Sequence, residues 1–153
     1  MKLKSGDKAP DINSTDQNGN PVKLADFLGH KVILYFYPKD DTPGCTAEAC
    51  SLRDGYADLL AKGYKIIGVS ADSDKSHKKF ADKYHLPFPL LPDTSKEIIN
   101  AYGVWGPKKF MGRAYDGILR TTFIIGEDGR ILKIIEDVKT KNHADQVLAE
   151  MGN

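Results

Sequence analysis

Apolar residues fall along this chain in short runs separated by turn-forming residues. Residues 32–37, Val32-Ile33-Leu34-Tyr35-Phe36-Tyr37, make an unbroken β-branched and aromatic run, the pattern of a buried strand. Pro38 ends it, and Lys39, Asp40 and Asp41 bring the chain toward the surface. Thr42 is suited to cap a helix and Pro43 to begin one. That helix carries Leu52, Tyr56, Leu59 and Leu60 on one face and stops at Gly63. Residues 64–70 repeat the buried-strand pattern. Strand, helix and strand in this order predict a right-handed parallel crossover.

The flanking segments extend the pattern. Residues 11–16 and 21–24 bracket Asn18-Gly19, a hairpin signal, and are expected to cover one edge of the domain. Ser73 or Asp74 caps a helix with Phe80, Ala81 and Tyr84 facing inward. Pro87 and Pro89 break that helix, leaving 88–91 as a short strand near an edge. Thr94 and Glu97 fit a capping box for a helix through Tyr102. Residues 103–117, with four glycines and Pro107, read as a long surface loop. Residues 121–125 and 131–135 pair around Asp128-Gly129, and Asn142 caps a last helix carrying Val147 and Leu148. The sum is one α/β domain over 1–153, a mixed central sheet flanked by helices with an N-terminal β-hairpin extension.

Composition narrows the partners rather than the fold. The 22 basic and 21 acidic residues leave a net charge of +1, which offers nothing to attract nucleic acid or an anionic membrane. No apolar run approaches the ~20 residues that span a bilayer. Residues 1–7 lack the apolar core of a signal peptide, so a cytoplasmic protein is expected. In a reducing compartment a close cysteine pair such as Cys45 and Cys50 is redox-active or metal-binding more often than structural.

On the predicted helix Cys45 occupies the first turn, where unpaired backbone N–H groups and the macrodipole favour an anion. A thiol placed there is expected to react as thiolate. Five residues along an α-helix separate two Cα atoms by ~8.7 Å, whereas a disulfide needs roughly 4.4–6.8 Å. Either the pair never bonds or the first turns unwind when it does. Four readings compete. Both cysteines are small core residues. Or they bind metal, although His30, His77, His85 and His143 show no ligand pairing. Or they form a thiol–disulfide oxidoreductase site, although that chemistry favours Cys-x-x-Cys. Or one thiol meets an oxidant and its neighbour resolves it. Asp40 and Asp41 read as solvated acids, and Lys75, Lys78 and Lys79 as a wet helix face.

Pro38-x-x-x-Thr42-x-x-Cys45 resembles the active-site signature of the peroxiredoxins. The longer string from Thr42 to Cys50 resembles the Q-type subgroup, the bacterioferritin comigratory proteins. The likeness continues in Tyr102-Gly103-Val104-Trp105, Gly112-Arg113 and the run from Gly117 to Phe123, and departs at Gly126, where an acidic residue is expected. The resemblance implies a thioredoxin-like fold. It implies that Cys45 is the peroxidatic cysteine and Cys50 the resolving one, that Thr42 and Arg120 orient thiolate and peroxide, and that Pro38 shields the site. Pro38, Gly44, Glu48 and Trp105 are placed at the substrate pocket. Glu48 reads either as the group that holds Arg120 or as an exposed residue. Without the resemblance Arg120 reads as a surface ion pair, and Trp105 reads as packing. The activity implied is reduction of hydrogen peroxide and organic hydroperoxides, with no metal or organic cofactor and with thioredoxin or a similar dithiol as reductant. A monomer is implied, with a weak homodimer as the alternative. The competing function is a peroxide sensor that uses the same disulfide switch without turnover.

Overall fold

Residues 31–36 organise the fold because their side chains alternate between two cores. Val32, Leu34 and Phe36 enter one, and Ile33 and Tyr35 the other. The computed structural model describes residues 2–152, so Met1 and Asn153 of the predicted 1–153 domain lie outside the described residues. In chain order the elements are β1 (Asn13–Thr15), β2 (Pro21–Lys23), β3 (Lys31–Phe36), α1 (Pro43–Asp54), α2 (Tyr56–Ala61), β4 (Tyr64–Ser70), α3 (Asp74–Tyr84), β5 (Leu90–Pro92), α4 (Glu97–Ala101), β6 (Trp105–Phe110), β7 (Arg113–Ile118), β8 (Thr121–Ile125), β9 (Ile131–Ile135) and α5 (His143–Glu150). The central sheet runs β5-β4-β3-β8-β9. β3 pairs parallel with β4, and β4 with β5, while β8 and β9 are antiparallel additions. This is the predicted mixed sheet, with the predicted parallel crossover from β3 through α1 and α2 to β4.

One core lies under α1, α2, α3 and α5, through Leu52, Leu59, Phe80 and Val147. The other lies under α4 and the N-terminal segment, through Ile98, Ile99 and Leu24. β1 and β2 form the predicted hairpin, and Gln17 ties it to edge strand β5 by accepting from Leu90 N–H at 2.8 Å. Among the described residues no helix is long and apolar enough to cross a membrane.

Several local expectations are corrected. Residues 103–117 are not a loop: β6 and β7 pair antiparallel around Met111-Gly112, where Met111 itself takes a positive φ of 52°. The single helix from Thr42 to Gly63 is two helices that meet at Gly55. A Cβ on residue 55 would lie 2.7 Å from Ala144 Cβ, so the joint lets α5 close onto α1. The Thr94–Glu97 capping box does not form. Lys96 precedes α4 in the left-handed region (φ 64°), and Asp93 instead accepts from Ile99 N–H at 2.8 Å. Asn142 precedes α5 as predicted but makes no side-chain cap. Ser73 does cap α3, accepting from Ser76 N–H at 3.1 Å. Strand 88–91 is shifted to Leu90–Pro92.

Asp40 is not solvated. It is buried and takes hydrogen bonds from Tyr37 Oη at 2.6 Å and Ser76 Oγ at 2.7 Å, with His77 Nδ1 at 2.7 Å. His77 Nε2 also reaches the Leu91 carbonyl at 3.0 Å, so this cluster pins α3 to the sheet.

The Gly55 contact makes a stability prediction. Gly55→Ala forces a methyl group against Ala144, and overpacking of this kind costs about 1–3 kcal/mol. Urea unfolding of the variant should show a lower midpoint with the slope unchanged.

Candidate active site

The site is built on the first turn of α1. Thr42 is extended (φ −96°, ψ 155°), Pro43 begins the helix, and Thr46 N–H donates to the Thr42 carbonyl at 2.8 Å. Thr42 holds the predicted cap position without capping, because its hydroxyl donates back to the Lys39 carbonyl at 2.9 Å. The first-turn amides precede any intrahelical acceptor, so the positive end of α1 bears on Cys45. Cys45 is buried at 1% exposure, although the turn before it predicted a surface position. Both cysteines are free on an intact α1, with Cys50 half-buried, as the spacing argument requires of an unbroken helix.

Arg120 lies between β7 and β8 and reaches across to α1 with both arms of its guanidinium. Nη2 donates to Cys45 Sγ at 3.2 Å and Nη1 to Glu48 Oε1 at 2.6 Å. Gly44 makes room for this fork, since a Cβ there would lie 3.3 Å from Nη2. Burial opposes the Arg120 charge, but Glu48 and Cys45 outweigh it and hold the guanidinium protonated. Glu48 is fully buried, which removes the exposed alternative and leaves it holding Arg120. Burial pushes its carboxyl up to about 7, with Arg120 pulling the other way.

A cleft of ≈ 750 Å³ opens beside Arg120, lined by Tyr102, Trp105, Lys108, Leu119 and Phe123 among others. Trp105 therefore belongs to the pocket wall, on strand β6 rather than on a loop, and Lys96 Nζ sits 5.1 Å from its ring centroid. Cys45 itself does not line this cleft. Pro38 is half-buried just beyond the end of β3.

Two residues near this site were not anticipated. Lys108 Nζ donates to the Ile118 carbonyl at 2.8 Å, and its ammonium is lowered by burial and then by Arg120, with Cys45 opposing. Nothing in the residue pattern of 105–110 marks it. His143 Nε2 approaches Glu48 Oε2 at 3.6 Å, a pairing no sequence spacing reveals. Among the described residues one group, Asp40, Asp72 and His77, has ligand atoms close enough for a metal, all within 4.8 Å. Its atoms already bond one another, with Asp72 Oδ2 accepting from Asp40 N–H at 2.9 Å and from Ser70 Oγ at 2.7 Å.

The chain as a whole is similar to known proteins in sequence and in fold. The family model described as AhpC/TSA family matches residues 5–134. Peroxiredoxin Bcp of Escherichia coli (strain K12) is 47% identical over 146 residues, covering 95% of this chain and 94% of that protein. Peroxiredoxin Bcp of Bacillus subtilis (strain 168) is 45% identical over 148 residues, covering 97% and 94%. Among solved structures, the bacterioferritin comigratory protein of Xanthomonas campestris, described for its alkyl peroxide reduction activity, superposes with a TM-score of 0.85 at 35% identity over 92% of this chain and 90% of that one. A cysteine-to-serine variant of Xylella fastidiosa PrxQ superposes with a TM-score of 0.92 at 30% identity, covering 99% and 97%.

The raised Glu48 carboxyl predicts a pH-dependent stability. Between its ordinary value of 4.5 and about 7 the folded chain binds more protons than the unfolded one. Unfolding free energy therefore falls as pH rises through that window and levels above it. Glu48→Gln lacks this titration, so wild type should lose stability relative to the variant between about pH 5 and about pH 8, read by urea unfolding at each pH.

Proposed function

The chain belongs to the AhpC/TSA family as a thioredoxin-like thiol peroxidase of the Bcp/PrxQ type, and on that premise we propose that Cys45 is the sulfur that attacks the peroxide. The observation that carries this reading is the Arg120 Nη2 donor 3.2 Å from Cys45 Sγ, at the positive end of α1. The Cys45 thiolate attacks the terminal oxygen of a hydroperoxide and the O–O bond breaks. The sulfur becomes a sulfenic acid, and the leaving oxygen takes a proton and departs as alcohol or water. Arg120 donates to the oxygen on which charge develops, the step where a preorganised donor has its largest effect. Thr42 turns its hydroxyl from Lys39 toward the peroxide, and Pro38 and Gly44 keep the pocket narrow and dry. Local opening at the start of α1 admits substrate to the buried sulfur.

The first turns of α1 then unwind and the Cys50 thiol attacks the sulfenic sulfur, forming the Cys45–Cys50 disulfide and releasing water. A dithiol reductant, thioredoxin by family resemblance, returns both thiols through a mixed disulfide. Alkyl hydroperoxides are favoured substrates beside hydrogen peroxide. The activity described for the Xanthomonas campestris relative supports this, as does the apolar cleft wall of Tyr102, Trp105, Leu119 and Phe123. The protein acts as a single domain over 1–153, as a monomer in the cytoplasm.

Three variants test the assignment. Cys45→Ser abolishes peroxide consumption. Cys50→Ser allows about one turnover in a thioredoxin-coupled assay, and sustained thioredoxin-dependent activity in that variant would remove Cys50 from the resolving role. Arg120→Met lowers the rate of the first oxidation about 10²–10³-fold in stopped-flow measurements.

A further inference from the structure

Behind Arg120 lies a buried imidazole that the peroxidase reading does not use. His143 opens α5 and is wholly buried. Its tautomer follows from its neighbours. Gln146 Oε1 accepts from Lys139 N–H at 2.8 Å and stands 2.8 Å from His143 Nδ1. The other end of that amide donates to the Asp137 carbonyl at 2.7 Å, which identifies the end facing His143 as oxygen. Nδ1 therefore carries a hydrogen, and Nε2 of the neutral ring offers only a lone pair. Thr122 Oγ1 lies 2.8 Å from Nε2 and donates to it in that state. Glu48 Oε2 is 3.6 Å from the same nitrogen and has no hydrogen-bond partner among the described residues, while Oε1 is held by Arg120. An ionised Oε2 left without a donor in a dry core is strongly unfavourable, and a proton on the carboxyl, or on Nε2 with the Thr122 hydroxyl turned to accept, removes the conflict.

We propose that His143 and Glu48 together hold one proton behind Arg120, which makes His143 a positioning residue for the peroxidase step. This rests on Cys45 and Arg120 being the reacting pair. With the proton in place Glu48 and His143 are neutral as a unit, and the Arg120 charge is left to the sulfur and the peroxide. Once the proton departs, Glu48 carries a full negative charge 2.6 Å from Nη1 and offsets the guanidinium. The groups that face Glu48 are Arg120, Cys45 on its own helix, His143 on α5 and Tyr35 on β3. Lys108 on β6 faces Arg120 and Cys45 in turn. Burial raises Tyr35 far above its ordinary range, so it stays protonated throughout. Burial also lowers His143, with the Gln146 hydrogen bond opposing and Arg120 reinforcing.

The test is the stopped-flow rate of Cys45 oxidation by hydrogen peroxide from about pH 5 to about pH 9 in wild type, Glu48→Gln and His143→Asn. The wild-type rate should fall above about pH 7. The fall should vanish in Glu48→Gln, which has no proton to lose. In His143→Asn it should begin about one pH unit lower, a roughly tenfold weaker hold on the proton. A fall that persists in Glu48→Gln belongs to Lys108 and overturns the proposal, as does a His143→Asn profile superimposable on wild type. Nitrogen-15 NMR of unmutated protein gives the same answer without relying on either variant to fold. The His143 Nε2 resonance should move across the same pH range in which the wild-type rate falls, and an unchanging ring overturns the proposal. Failure of wild type to react with peroxide at all would defeat the peroxidase reading instead, while the NMR titration would still report on the pair.

Discussion

A carboxylate with no exposed surface is tolerated in a core only when something compensates it. Glu48 is such a group, and its compensation comes from Arg120, 72 residues further along the chain. That ion pair fastens the start of α1 to the connection between β7 and β8. The same guanidinium has a second arm, which reaches Cys45. The group that satisfies Glu48 thus also presents a cation to the sulfur. Stability and chemistry share one side chain, which is why Gly44 and the precise hand-over from β7 to β8 matter more than their exposure suggests.

The elements that were legible from sequence are those whose burial follows their periodicity. β3 and β4 are buried on both faces and read as continuous apolar runs, so the central crossover was visible at once. The β6–β7 hairpin was not, because most of it is exposed and only Ile118, at its end, enters a core. Met111, at 85% exposure, sits at a turn that no Asn-Gly or Asp-Gly announces. The break at Gly55 was hidden for the opposite reason. Leu52, Tyr56 and Leu59 keep helical spacing across it, and only the arrival of α5 from far along the chain demands a residue without a side chain.

The candidate site divides the same way. The local signature around Cys45 could be read residue by residue, since a first-turn thiol is a matter of neighbours in sequence. Arg120 needed the family resemblance, because on its own it looked like a surface ion pair. His143 and Lys108 needed coordinates: a histidine at the start of one helix and a lysine in an exposed strand carry no mark of what lies across from them. Asp40 and His77 teach the same lesson away from the site. Their pairing spans 37 residues and turns what looked like one of two wet acids into a buried pin, while Asp41 stays exposed.

The seating of α5 on α1 bears on how far a conformational change can travel. Ala144 N–H donates to Ser51 Oγ at 3.2 Å, one residue beyond Cys50, and Gly55 packs directly under the same alanine. α1 is thus moored at two points, forward by Arg120 at Cys45 and Glu48 and aft by α5 at Ser51 and Gly55, with Cys50 on the span between them. The forward mooring has two parts, the Glu48 ion pair and the Cys45 contact, and oxidising the sulfur alters only the second. A zip that opens from one end halts at the first cross-stitch, and here the stitch lies just past the second thiol. On the proposed mechanism, unwinding from the start of α1 meets the Ser51 contact only after it has freed Cys50.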